Sequence, residues 1–315
     1  MATIPSATGP LDTAELGFTY MHEHVIVGTP GLYQSYPELW QPEKFMDQAV
    51  QRLREARERG VRTMVDLTPA DFHRDARFVQ AAARRSGMQL ILATGIYWRS
   101  TPFFDGHPIE ELVPLLVKDI TEGIQGSGIR AAILKAATDE PGVTPQNEKA
   151  LRAVARAHRQ TGVPISTHTN ARLEMGTKQQ DVFESEGVDL SRVVIGHSGD
   201  TEDLDYLKRL MARGSYIGMD RFGLDRLLPF EKRVATVAAL CKEGFAGRIV
   251  LSHDASCLFD WAPEERLREF APNWHFRHIV DDVLPALHAQ GVSQAQIDQM
   301  TTGNPRAIFE KQGGY

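Results

Sequence analysis

The chain has 315 residues, 42% hydrophobic and 24% charged, with 41 Asp and Glu against 35 Lys and Arg for a formal net charge of −6. This composition excludes a disordered chain, and a mildly acidic balance with no Lys/Arg block leaves no electrostatic footprint for nucleic acid. No apolar run approaches the roughly 18 residues of a membrane span, and the opening residues carry no secretory signal, so no membrane partner and a cytoplasmic location are expected.

Short apolar stretches of strand length recur at 19–24, 63–67, 90–94, 131–135, 164–168, 193–197, 216–220 and 249–254. Several are continuous Val/Ile/Leu runs, as in parallel strands covered on both faces. Helical segments lie between them. In 43–59 the residues Phe45, Met46, Ala49, Val50, Leu53 and Ala56 form one stripe with Gly60 as the stop, and Thr144-Pro145 caps a helix running to Thr161 and Gly162. Eight β/α units with no linker predict one domain over 1–315, an α/β chain closed as a TIM (β/α)8 barrel. A doubly wound sheet would place a Gly-rich loop after its first strand, where this chain has Met21-His22-Glu23-His24.

Of the 11 histidines, four fall at strand ends: His22 and His24 on the first, His168 on the fifth and His197 on the sixth. Lys135 ends the fourth strand and Asp254 the eighth. A barrel gathers strand C-termini at one mouth, so these six predict a metal site despite their distance in sequence. Four imidazoles and a carboxylate exceed the needs of one catalytic zinc with an open position, which points to two divalent ions. Lys135 stands in an apolar strand, where burial favours the neutral amine. That amine reacts with carbon dioxide to give a carbamate, an anionic ligand able to bridge two cations. Each residue alone has another reading: His-x-His as structural, Lys135 as a Schiff-base aldolase lysine, Asp254 as a helix cap, or the whole as a non-catalytic barrel. His73, His107, His158, His275, His278 and His288 are read as structural or surface, and His253 as packing beside Asp254.

Met21-His22-Glu23-His24, Leu134-Lys135, Ile165-Ser166-Thr167-His168-Thr169, Ile195-Gly196-His197 and Leu251-Ser252-His253-Asp254 resemble the metal-binding blocks of the phosphotriesterase family in the amidohydrolase superfamily. The resemblance runs from Gly9-Pro10 to Asn304-Pro305-Arg306 and is strongest to the phosphotriesterase-like lactonases. Thr94-Gly95-Ile96-Tyr97, Met219-Asp220-Arg221-Phe222-Gly223 and the short segment 224–228 carry that subfamily likeness. It implies a hydrolase opening lactones, N-acyl homoserine lactones foremost, with promiscuous phosphotriesterase activity on organophosphates. The alternative is a phosphotriesterase or carboxylesterase with another natural ester. It also implies a binuclear centre of zinc, or of cobalt, iron or manganese, with Lys135 carboxylated, and a homodimer. Asp254, Tyr97 and Arg221 would be catalytic, and Tyr97, Arg221, Cys257, Leu258, Phe259 and Trp261 would line the substrate pocket. The loop from Trp98 to Phe104 has no role in the resemblance and is expected to serve packing or a dimer contact.

Overall fold

The computed structural model describes residues 2–99 and 101–315. A hairpin of β1 (Thr3–Ser6) and β2 (Gly9–Asp12) precedes the barrel strands β3 (Thr19–Val27), β4 (Thr63–Asp66), β5 (Gln89–Gly95), β6 (Ile133–Ala137), β7 (Ile165–His168), β8 (Val193–Ile195) and β9 (Tyr216–Met219). The eighth barrel strand is split into β10 (Ile249–Leu251) and β11 (Ser256–Phe259). β3 to β10 run side by side in sequence order, all parallel, and β11 pairs with β3 to close the ring. The fold is the TIM barrel that the repeated strand-helix pattern predicts.

Two cores follow from strand alternation. Val65, Leu67, Ile91, Ala93, Ile133, Val194 and Val250 fill the barrel interior together with Ile4, Leu11, Ile308 and Phe309. The hairpin and the last helix thus contribute to the interior core, a role the sequence reading does not give them. The opposite strand faces pack on the helices. Pro42–Glu58 buries Met46, Ala49, Val50, Leu53 and Ala56, five of the six residues in its predicted stripe. Pro145–Thr161 begins with Thr144 accepting from the Asn147 amide and ends at Gly162 in the left-handed region, φ 78°.

Two strands stop two or three residues short of the ligand expected at their end. β8 ends at Ile195 and β10 at Leu251, because His197 (φ 57°) and Asp254 (φ 58°) are left-handed and leave the ladder. The pairing register of β3 with β4 also shifts between Tyr20 and Glu23, a bulge beside His22. All three irregularities fall on the residues predicted to bind metal.

Candidate metal centre

Inside the C-terminal mouth the side chains of His22, His24, Lys135, His168, His197 and Asp254 converge. Lys135 Nζ donates to His22 Nε2 at 2.8 Å. Asp254 Oδ1 lies 3.2 Å from His22 Nε2 and 3.1 Å from His24 Nε2. His197 Nε2 is 2.9 Å from His168 Nδ1 and 3.6 Å from Asp254 Oδ2. His22, His24 and Asp254 together offer ligand atoms within 4.8 Å of one another.

The outward ring nitrogens are held by oxygen acceptors. Asp220 Oδ2 accepts from His22 Nδ1 (2.8 Å), and its Oδ1 accepts from His197 Nδ1 (3.0 Å) and the His197 amide (2.7 Å). Thr68 gives its hydroxyl proton to Asp66 and is thereby left to accept from His24 Nδ1 at 2.9 Å. Asp139 Oδ2 accepts from His168 Nε2 at 2.8 Å. Since a carboxylate only accepts, each ring carries its proton on the outside and presents a bare nitrogen inward. His22, His197 and Asp220 also bring ligand atoms within 4.8 Å of one another, but the nitrogens facing Asp220 are the protonated ones, so Asp220 orients ligands and is not one of them.

This arrangement fits metal ions on its own terms. Bare nitrogens 2.9 Å apart on His197 and His168 repel unless a cation or proton lies between them. Protons are disfavoured: burial, with Lys135 next, holds His22 well below the usual imidazole range, burial and then Arg221 do the same for His197, and burial lowers His168 to about 4. Burial also lowers Lys135 to about 8. Burial alone would raise Asp254, but the charges facing it, the Arg221 guanidinium among them, outweigh it and hold the carboxylate ionised well below its ordinary range.

Arg221 Nε donates to Asp254 Oδ2 at 3.1 Å and its Nη1 to Asp200 Oδ2 at 2.9 Å, while Arg233 donates to the other oxygen of Asp200 at 2.8 Å. Tyr97 packs edge-on against His168, ring centroids 5.2 Å apart, and burial keeps its hydroxyl protonated. Its backbone amide donates to both oxygens of Asp71, whose own burial pushes that carboxyl up to about 6. Trp261, half exposed, meets Phe72, which in turn touches Tyr97.

The structure does not bring the other expected pocket residues to the ligands. Cys257 is buried with Sγ toward the Ala49 carbonyl, and Leu258 is buried in the core outside the barrel. Phe259 lines a cavity of about 930 Å³ between the helix Pro42–Glu58 and residues 264–277, away from the ligand cluster. Trp98 and Arg99 stack on each other, with the guanidinium 4.4 Å from the ring centroid. Phe103 is exposed in the helix Pro102–Gly106, and Ser100 between them lies outside the described residues.

The family model for the phosphotriesterase family matches residues 2–309. The chain belongs to the phosphotriesterase family. It is 50% identical over its whole length, and that of the relative, to the "phosphotriesterase homology protein" of Mycobacterium tuberculosis strain H37Rv. It is 39% identical to the "aryldialkylphosphatase" of Saccharolobus solfataricus, covering 95% of this chain and 96% of that one. The solved structure of the phosphotriesterase from Mycobacterium tuberculosis superposes with a TM-score of 0.96 at 49% identity over the whole of both chains. Phosphotriesterase-family members are binuclear metal-dependent enzymes, and this chain is accordingly a metal-dependent hydrolase.

Sequence reading does not find Asp220, Thr68 with Asp66, Asp139, Asp200 or Asp71. Asp220 carries a usable signal, a carboxylate at the predicted end of the seventh strand. The others lie in loops or at a strand's end, where only the folded chain shows what they face.

Proposed function

We propose that this hydrolase opens lactones, N-acyl homoserine lactones foremost, and hydrolyses organophosphate triesters as a slower side activity. The observation that supports the reading is the pair flanking the ligand cluster: Tyr97 beside His168 on one side, Arg221 on Asp254 on the other. A buried, protonated phenol and a fixed guanidinium suit an ester whose carbonyl must be aimed and whose leaving oxygen remains tethered in a ring.

His22, His24, His168, His197, Asp254 and Lys135 as its carbamate would hold two divalent ions, zinc first by donor type. When bound, such ions acidify a water and polarise the ester carbonyl. Asp254 takes a proton from the attacking water and returns it to the ring oxygen as the bond to the acyl carbon breaks, leaving a hydroxy acid. Arg221 keeps the Asp254 carboxylate in one orientation, and Asp200 keeps Arg221 in place. Tyr97 donates its hydroxyl proton in a hydrogen bond to the substrate. Lys135 carbamate formation needs the neutral amine, which burial supplies near pH 8.

Exposed Tyr36, Leu39 and Phe103 support the proposed homodimer, and the two free, buried cysteines are compatible with a reducing cytoplasm. Among the described residues no helix is long and apolar enough to cross a membrane.

The relative named aryldialkylphosphatase favours a second reading, with a phosphotriester as the main substrate. Comparing kcat/KM for an N-acyl homoserine lactone and a dialkyl aryl phosphate decides between them. The lactone is expected to lead by a factor on the order of 100, about 3 kcal/mol of transition-state binding. A triester preferred over every lactone tested overturns the proposal.

A further inference from the structure

Glu23 stands between two of the predicted ligands on β3, yet its side chain goes the other way. It is 1% exposed, and among the described residues its ion-pair partner is His253, with no Lys or Arg. Its three hydrogen bonds come from residues on either side of Asp254. Oε1 accepts from the His253 amide (3.0 Å) and from His253 Nδ1 (2.7 Å), and Oε2 accepts from the Ala255 amide (2.9 Å). Asp254's own amide donates to the His22 carbonyl at 3.1 Å.

This is where the barrel's eighth strand is broken. β10 ends at Leu251 and β11 resumes at Ser256, and in the gap the amides of 253 and 255 lack a regular ladder partner. Left buried and unpaired, each would cost free energy comparable to a lost hydrogen bond. Asp254 is left-handed with φ 58°, a conformation that disfavours residues with a Cβ and survives only where the surroundings impose it. A carboxylate is the side chain whose two oxygens can straddle that residue and accept on both sides. The far side of the His253 ring accepts from the Ile279 amide at 3.1 Å, and Trp274 Nε1 donates to the His253 carbonyl at 2.8 Å, so the residue before Asp254 is pinned from three directions.

We propose that Glu23 is a positioning residue: by bridging the 253 and 255 amides it holds the Asp254 backbone left-handed and so aims the Asp254 carboxylate at His22, His24 and Arg221. Glu23 touches neither substrate nor metal. The proposal concerns how the ligand is aimed and is independent of which ester the site opens.

The test is a double-mutant cycle read as cobalt(II) affinity of the full chain, by competition with a chromophoric chelator. Glu23→Gln keeps the volume but offers one acceptor oxygen where two are needed. Asp254→Ala keeps a Cβ at the left-handed position and removes the carboxylate, which cuts the link between backbone pose and metal. E23Q is expected to weaken cobalt binding about 10- to 100-fold in the native background, the range for outer partners of metal ligands, and less than about 2-fold in the D254A background. An effect under about 2-fold in the native background, or the same loss in both, overturns the proposal, the second result being what a purely structural role gives. Should E23Q not be recovered folded by circular dichroism, Glu23→Asp, which keeps both acceptors one methylene short, goes through the same cycle under the same criteria.

Discussion

Lys135 is 2% exposed inside the barrel, next to His22 Nε2 and opposite Gly95 and Ser166 on the flanking strands. An ammonium there is poorly solvated, which is why its pKa falls to about 8. Lys135→Ala is expected to lose metal content and lactone hydrolysis together, and short carboxylates added to the apo protein are expected to restore part of both. Full metal content in the variant would remove the lysine from the site. Asp71 gives a prediction in pH. Its folded pKa of about 6 exceeds the value of 3.8 for the free side chain, so between those limits the folded state binds the extra proton and stability is lost as pH rises. Asp71→Asn keeps an acceptor for the Tyr97 amide without the charge. Its unfolding free energy relative to the native protein, read by denaturant titration, should therefore rise from pH 4 to 6 and be flat above, by at most about 3 kcal/mol. A constant margin across that range would contradict the assignment. At this scale much was legible: the six candidate ligands read at strand ends do converge, although β3 runs on to Val27 and β6 to Ala137 while His197 and Asp254 fall past their strands. The acceptors behind them were not, because a loop carboxylate such as Asp139 has no periodicity to betray its direction.

The strands carry the site only because certain residues have no side chain. A Cβ on Gly196 would stand 1.9 Å from the Thr167 carbonyl oxygen, and one on Gly218 would stand 2.5 Å from Asp220 Oδ2. These glycines clear the space in which Asp220 folds back between β8 and β9 to hold two imidazoles. Gly218→Ala is expected to displace Asp220, lowering metal affinity about 10-fold or more and destabilising the chain by roughly 1–3 kcal/mol, as seen in metal titration and denaturant unfolding. Unchanged metal affinity would show that Asp220 does not orient His22 and His197. Strand existence was readable from Val/Ile/Leu runs, and helix ends from Thr144 and Gly162. The break between β10 and β11 was not, since no Gly or Pro marks 252–255 and the left-handed turn at Asp254 depends on hydrogen bonds made with the first strand. Likewise, Cys257, Leu258 and Phe259 read as pocket residues with no strand expected over 256–259, where the fold forms β11.

Across the whole molecule, one core fills the barrel and another lies between barrel and helices, while the ligands sit at the open end of the first. Ions that bind this folded mouth and not the unfolded chain add to stability, by about 2.7 kcal/mol when free metal is 100 times its Kd. Chelation should therefore lower the melting temperature and zinc should restore it. Sedimentation should show a species of twice the chain mass, and a monomer at micromolar concentration would end the homodimer proposal. The repeating β/α unit made the barrel legible from sequence, whereas association rests on the family resemblance, with exposed side chains such as Tyr36 and Phe103 as its support. The most direct test of the account is elemental analysis of the purified chain, paired with lactone hydrolysis before and after metal removal. The account predicts about two divalent ions per chain, with hydrolysis lost on stripping and regained on their return. Lactone hydrolysis undiminished in the stripped protein would contradict it.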